Sequence, residues 1–242
     1  MDFDKYDLIS FKGGLEEFGL KMSDTQLRQF LRYYKLLIEW NNFMNLTAIT
    51  EFEEVCTKHF LDSLSLCRAI DCTKSLLIAD IGTGAGFPGI PLKIAFPNLK
   101  ITLLDSLGKR VKFLNKVIDE LELKEINAIH GRAEDFAKPN LLREHFDVCV
   151  SRAVANLSSL SEYCIPYVKT GGYFISYKSE KIAEEVTAAE KAVCLLGGTL
   201  LNQIEFVLPN SNIYRNLVVI QKVKDTPKKY PRKAGIPTKE PL

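Results

Sequence analysis

The apolar positions of the first seventy residues recur every three or four places, the period of a helix with one buried face. Leu27, Phe30, Leu31, Tyr34, Leu37 and Ile38 form such a stripe, with Arg28, Arg32, Lys35 and Glu39 mostly off it. Ser23 and Asp24 stand where an N-cap belongs. A second start signal, Thr50-Glu51-Phe52-Glu53, has the spacing of a capping box and predicts a helix through Val55, His59 and Leu64. Two helices striped in this way must pack on something.

From Leu76 the rhythm changes. Short apolar runs at 76–81, 100–104, 126–129, 146–151 and 172–177 alternate with helical patterns, clearest in Val111, Leu114, Ile118 and Leu121. That alternation predicts βαβ units and a parallel sheet covered on both faces. Runs 200–208 and 214–222 are joined by Pro209-Asn210-Ser211-Asn212, with no helix between them, and predict an antiparallel pair finishing the sheet. The last 21 residues hold four of the ten prolines and are expected to form an extended tail. The predicted organisation is a helical extension over 1–72, a Rossmann-like α/β domain over 73–222 with a terminal antiparallel strand pair, and a tail over 223–242.

Composition adds limits. The chain has 242 residues, enough for one large domain at about 100–200 residues each. Hydrophobic residues make up 46% and charged residues 26%, which excludes wholesale disorder. Charge is uneven: from Lys222 onward there are seven basic and two acidic residues, while the body before it is net −3. A basic end on a mildly acidic body predicts an anionic partner. None of the six cysteines has CxxC spacing or sits near a His pair, so no zinc site is expected. The opening Met1-Asp2-Phe3-Asp4 is acidic where a signal peptide is basic, and no run approaches the ~18 apolar residues of a membrane span. A cytoplasmic protein with reduced thiols is expected.

The chemistry centres on the stretch from Leu76 to Gly89, where a buried strand runs into Gly82-Thr83-Gly84-Ala85-Gly86 and then a helix. Two cofactors compete for such a loop. Gly84-x-Gly86-x-x-Gly89 matches the dinucleotide fingerprint of a NAD-dependent oxidoreductase. Asp80-x-Gly82-x-Gly84-x-Gly86 matches the loop of S-adenosylmethionine-dependent methyltransferases. Register favours the second. The strand ends at Ile81, Pro88 removes an amide where a pyrophosphate would bind, and Asp80 suits a cationic sulfonium better than a phosphate.

Asp105, 19 residues after Gly86 at the end of the second strand, can accept from ribose hydroxyls or cap the next helix. Ala133 and Glu134 follow the third strand, at the rim expected for the adenine. Arg152 follows the fourth, placed either to clamp the cofactor carboxylate or to address guanine O6/N7.

With these segments in place the chain resembles the glucose-inhibited division protein B family, the small-subunit ribosomal RNA methyltransferase G enzymes. The resemblance rests on Trp40-Asn41-Asn42 with Asn45-Leu46-Thr47-Ala48-Ile49, Lys58-His59-Phe60-Leu61-Asp62-Ser63-Leu64 and residues 80–91. It extends to Leu104-Asp105-Ser106-Leu107-Gly108-Lys109-Arg110, Ser151-Arg152-Ala153-Val154-Ala155 and the tail from Thr226 to Gly235. Lys58 stands where arginine is expected, and Tyr177-Lys178-Ser179 where a Lys-Gly pair is expected. The resemblance implies methylation of N7 of one guanine in 16S ribosomal RNA near the decoding site. It also implies S-adenosylmethionine contacts from Gly82, Phe87, Asp105, Ala133, Glu134 and Arg152, with Asp80 and Gly84 in the same loop.

Guanine N7 has a lone pair and no proton, so no catalytic acid or base is expected. Lys109 and Arg110, beside the cofactor, and Lys228, Lys229, Arg232 and Lys233 of the tail are candidates for RNA contact. The expected partner is 16S ribosomal RNA or the small subunit, with no DNA, membrane or metal, and the protein is expected to act as a monomer. A non-enzymatic RNA-binding module is the remaining alternative.

Overall fold

The structure, a computed structural model, describes residues 6–152, 155–179 and 182–242. Residues Met1–Asp4 of the opening and Ala153-Val154 of the fourth-strand motif lie outside the described residues.

Helices α1 (Ile9–Glu17) and α2 (Asp24–Met44) begin the chain. Ser23 caps α2: its Oγ accepts from the Gln26 amide at 3.3 Å, and Gln26 Oε1 accepts from the Ser23 amide at 2.9 Å. The predicted stripe is buried at Leu27, Phe30, Leu31, Tyr34 and Leu37. α2 ends at Asn45, whose φ of 49° is left-handed.

A helical run follows in four pieces: α3 (Phe52–Val55), a π-helical stretch (Cys56–Leu61), α4 (Asp62–Leu64) and a 3₁₀ turn (Ser65–Arg68). The capping box expected at Thr50 does not form. The Thr50 carbonyl accepts from the Tyr34 hydroxyl at 2.9 Å, and the N-cap moves to Glu51, which makes no side-chain cap bond.

Among the described residues, seven strands then form one sheet. They are β1 (Leu77–Ile81), β2 (Lys100–Asp105), β3 (Ile126–His130), β4 (Phe146–Ser151), β5 (Val168–Lys178), β6 (Gly198–Val207) and β7 (Tyr214–Lys222). The crossovers are α5 (Gly89–Ala95), α6 (Gly108–Glu120), α7 (Ala133–Phe136), α8 (Leu157–Cys164) and α9 (Ala183–Leu195). The order is β3-β2-β1-β4-β5-β7-β6, with β7 antiparallel to both neighbours and the other pairs parallel, as predicted.

Alternate strand residues face opposite cores. Ile78, Val148, Val150, Ile175 and Val219 pack with α1, α2, the 52–68 run, α5 and α6. Ala79, Cys149, Phe174, Val218 and Ile220 pack with α8, α9 and Tyr230 of the tail. The N-terminal helices thus share a core with the sheet.

The tail departs from expectation. It is not simply extended: it folds back on the sheet, buries Tyr230 and closes with a short helix, α10 (Ile236–Lys239). Proline is compatible with that helix because Pro237 lies in its first turn, where its missing amide would be unpaired anyway.

Candidate functional site

Strand order reverses between β1 and β4, and ligands of open α/β sheets bind in the crevice at the carboxyl ends of such strands. The glycine loop lies there. Gly82 and Thr83 continue the ladder of β2, their amides donating to the Leu104 carbonyl at 2.9 and 3.2 Å. Gly84 and Gly86 have φ of 63° and 100°, a region costly for residues with a Cβ. A Cβ added at Gly84 would meet nothing within 4 Å, so the loop leaves open space on that side.

A cavity of about 550 Å³ opens at the start of the loop, at Ile81 and Gly82, with Gly84 not among its lining residues. Gly82, Asp105, Ala133 and Glu134, all anticipated for the cofactor, line it. Asp105 is the hub. Its Oδ2 accepts from the Gly84 amide at 2.9 Å and from Arg110 Nη1 at 3.4 Å, and its Oδ1 accepts from the Leu107 amide at 2.9 Å. It does not cap α6, whose N-cap is Leu107. Arg110, grouped with RNA contacts on sequence grounds, lines this cavity and pairs with Asp105. Lys109 beside it is exposed.

Asp80 lies beneath the loop and not among the residues lining the cavity. It is fully buried. Its Oδ2 accepts from Thr83 Oγ1 at 2.6 Å and from the Gly89 amide at 2.8 Å. Its Oδ1 has no partner among the described residues. Burial pushes this carboxyl up to about 7, against the lowering pull of the Thr83 and Gly89 hydrogen bonds and of Arg152. Direct contact with a sulfonium, expected from the sequence, gives way to a structural role: Asp80 ties the start of the loop to the start of α5. That tie consumes the Gly89 amide, which a dinucleotide pyrophosphate would need.

Phe87 and Arg152 also lie off this cavity. Phe87 is buried, stacked on His59 with centroids 4.5 Å apart. Arg152 sits over the Phe87 ring at 4.9 Å and is bound to Asp62 at 2.8 Å.

The tail supplies the wall that sequence reasoning missed. Gly235 and Thr238 line the same cavity beside Tyr163 of α8. The Gly235 amide donates to Glu134 Oε1 at 3.0 Å, and the Tyr163 and Thr238 hydroxyls are 2.7 Å apart. Arg232, anticipated as an RNA contact, is committed instead to Glu162. Its Nη2 donates to Glu162 Oε2 at 2.6 Å, its Nε to both oxygens at 2.9 and 3.1 Å, and its amide to Oε1 at 2.7 Å. Glu162 is 0% exposed, and the Arg232 guanidinium is the cation set against it. Lys228, Lys229 and Lys233 remain exposed. No signal in the sequence joins Glu162 to Arg232. Among the described residues no cluster could hold a metal ion.

A family model described as rRNA small subunit methyltransferase G, GidB, matches residues 26–218. The chain is 57% identical over 236 residues to the ribosomal RNA small subunit methyltransferase G of Lachnoclostridium phytofermentans, covering 98% of each chain. It is 52% identical over 231 residues to that of Alkaliphilus metalliredigens, covering 96% of this chain and 97% of the other. Among solved structures, P. horikoshii TYW2 in complex with MeSAdo aligns with a TM-score of 0.53 at 14% identity, over 67% of this chain and 61% of that one. M. jannaschii TYW2 in complex with AdoMet aligns with a TM-score of 0.51 at 14% identity, over 62% and 71%. The structural likeness establishes a shared fold, and the family model with the close relatives establishes more: the chain belongs to the GidB family of rRNA small subunit methyltransferase G proteins.

Proposed function

We propose that the protein transfers a methyl group from S-adenosylmethionine to N7 of one guanine in 16S ribosomal RNA, near the decoding site. One observation carries the proposal: the Asp105 carboxylate, bonded to the Gly84 amide of the glycine loop, lines a cavity at the β1–β4 reversal, in a chain of this family.

The residues present fit the cofactor. Gly84 leaves open the space a side chain would fill. Asp105 accepts three hydrogen bonds from the protein, one of them long, and a carboxylate has about four lone-pair sites, so a ribose hydroxyl can still be received. Glu134 uses only Oε1 on the described residues, toward Gly235, leaving Oε2 as an acceptor. Gly82, Asp105, Ala133 and Glu134 would hold the nucleoside and methionine parts. When bound, S-adenosylmethionine supplies a methyl group already made electrophilic by its sulfonium.

The chain's own part is positioning. Guanine N7 carries no proton, so no base has to remove one. What remains is to hold the nucleophilic nitrogen in line with the methyl group and keep water out, an effect that alone can supply about 7–11 kcal/mol of barrier reduction. The protein acts as a monomer in the cytoplasm on 16S RNA or the small subunit. Sedimentation of the purified protein as one species of monomer mass checks the first of these. Ribosomal RNA from cells lacking the protein should lose a single N7-methylguanine, restored by the gene in trans. An unchanged set of methylated guanines would overturn the assignment.

A further inference from the structure

One face of α2 meets the α/β domain with donors. Gln26, Gln29 and Tyr33 are spaced three and four residues apart, so they stand one above another on the helix. Each donates to main-chain carbonyls on a different piece of the domain. Gln26 Nε2 donates to the Ile94 and Ala95 carbonyls at 2.8 and 3.1 Å, at the end of α5. Gln29 Nε2 donates to the Leu121 carbonyl at 2.8 Å, at the end of α6. Tyr33 Oη donates to the Ala85 carbonyl at 2.5 Å, in the glycine loop. The glutamines serve carbonyls that any helix end leaves without an intrahelical partner. The tyrosine reaches a loop that shapes the proposed cofactor site.

The loop looks after its other carbonyls by itself. The Thr83 carbonyl accepts from the Gly86 and Phe87 amides, both at 3.0 Å, and the Gly86 carbonyl accepts from the Ile90 amide at 2.8 Å. Ala85 is buried, and a buried carbonyl without a donor is costly, so turning this one toward α2 depends on the phenol. The Ala85–Gly86 peptide is planar and trans, which points its carbonyl and its amide in opposite directions. The amide is held inside the loop by Thr83 and the carbonyl outside it by Tyr33, so the plane is fixed from both sides. One peptide earlier, Asp105 holds the Gly84 amide at 2.9 Å. Gly84, with its left-handed φ and its open side, is bracketed between the two.

Tyr33 is itself locked. It is fully buried, with its ring stacked on Phe60 at 5.6 Å and tilted against Phe87 at 5.5 Å. A Cβ at Gly86 would stand 2.9 Å from its hydroxyl oxygen, so the phenol and the loop leave no room between them. Burial pushes the hydroxyl well above its ordinary value, against the lowering pull of Arg152 and with Asp80 adding to the rise. The group therefore keeps its proton and remains a donor.

We propose that Tyr33 is a positioning residue for the cofactor site: α2 clamps the glycine loop and α5 as one unit, Gln26 at the far end and Tyr33 at the loop, and the bond to Ala85 keeps the loop in the shape that receives S-adenosylmethionine. This rests on the methyltransferase reading of the site. It gives the helical extension a part in cofactor binding that involves no contact with the cofactor.

The test uses the full chain with S-adenosylmethionine and 16S ribosomal RNA from cells lacking the protein. Tyr33→Phe should raise the cofactor Kd, measured by calorimetry, at least fivefold. Tyr34→Phe is the control: it removes the same group from the next residue of the same helix, where the hydroxyl meets the Thr50 carbonyl, and should stay within twofold of the parent. In turnover, Tyr33→Phe should raise the KM for S-adenosylmethionine at least fivefold and leave kcat within twofold, because bound cofactor restores the loop. Loss of folded protein would do the reverse, lowering kcat at an unchanged KM. Hydrogen exchange of the 82–89 segment without cofactor should be at least fivefold faster in Tyr33→Phe and return to the parent rate at saturation. If Tyr33→Phe does not melt cooperatively, Gln26→Met, which frees the far end of the clamp, takes its place with an expected rise in Kd of threefold or more. The proposal is overturned by a Kd within twofold of the parent, by an equal rise in Tyr34→Phe, or by a fall in kcat with KM unmoved. A parent protein that binds no S-adenosylmethionine would defeat the cofactor reading instead. Exchange of the loop would then still judge the clamp, and a parent-like rate in Tyr33→Phe would reject it.

Discussion

The two walls of the cofactor cavity are built in opposite ways. The glycine loop is held by its own neighbourhood: the Gly86 amide donates to the Thr83 carbonyl at 3.0 Å, and Asp80 gathers Thr83 and Gly89. The tail is held by side chains from far away in the sequence. Arg143 donates to the carbonyls of Thr226 at 2.5 Å and Tyr230 at 2.7 Å, and Glu144 accepts from the Thr226 amide at 2.8 Å. Glu162 grips Arg232 from 70 residues off, and Ser159 Oγ donates to the Pro237 carbonyl at 2.6 Å. A loop whose conformation is written in its own glycines can be recognised locally. A strap fastened by distant carboxylates and a guanidinium has the composition of a solvated arm.

The sharpest way to break this comparison is Arg232→Ala. The Glu162 carboxylate would be left enclosed without its cation, and removing one partner of a buried pair costs about 3–5 kcal/mol. For a chain of this size, each kcal/mol moves the melting temperature by about 2–4 °C, so a drop on the order of 10 °C is expected. S-adenosylmethionine affinity should fall as well, because Gly235 and Thr238 would no longer wall the cavity. Glu162→Ala should cost less, since the Arg232 side chain keeps 23% exposure and can turn to water. An unchanged melting temperature in Arg232→Ala would show the tail to be peripheral.

Asp105→Ala probes the loop wall by its hub. Cofactor affinity should fall by about 1.5–3 kcal/mol, the scale of hydrogen bonds to a charged acceptor. The Gly84 and Leu107 amides lose their acceptor too, so a modest fall in melting temperature should accompany it. RNA affinity measured without cofactor should barely move. An equal loss of cofactor and RNA affinity would make Asp105 structural only.

Gly84→Val sharpens the contrast from the backbone side. A left-handed φ costs a residue with a Cβ about 1–2 kcal/mol, more for a branched one. The protein should stay folded, because nothing lies within 4 Å of the added Cβ, but the open space would be filled and cofactor binding lost. Parent-like S-adenosylmethionine affinity in a folded variant would remove the loop from the site.

The same contrast explains what the sequence could and could not disclose. The succession of strands along the chain and the position of the loop followed from runs such as Leu76–Ile81 and from glycine spacing, both local signals. The polar start of β5, at Lys169-Thr170-Gly171, hid the first residues of an eleven-residue strand whose pairing with β4 shifts register between Phe146 and Val148. Thr50 satisfied a capping pattern, yet the helix starts one residue later, with Glu51 as its N-cap. Arg152 left two roles open in sequence, and the side chains it meets in the structure, Asp62 and His59, lie about ninety residues earlier in the chain. Arg110 and Arg232 are the plainest cases: each is a basic residue in a basic run, and only a carboxylate brought near by folding assigns it.

The smallest effect on the fold is expected from the tail lysines, and it decides how much of the basic end meets RNA. With Arg232 bound to Glu162, the candidates are Lys228, Lys229 and Lys233, all exposed. Lys229 lies over the face of the Tyr230 ring at 5.1 Å, with its side chain exposed. Each phosphate contact contributes about −0.9 for a duplex or −0.7 for a single strand to the slope of log affinity against log salt. Changing all three to Gln should therefore flatten that slope by roughly 2–3 units if each meets a phosphate. The melting temperature and the S-adenosylmethionine Kd should stay at parent values, in contrast to Arg232→Ala. A parent-like salt slope in the triple variant, with Arg232→Ala still destabilising, would make the tail a strap for the cofactor cavity and nothing more. RNA recognition would then fall to basic side chains outside the tail, exposed Lys109 of α6 among the candidates.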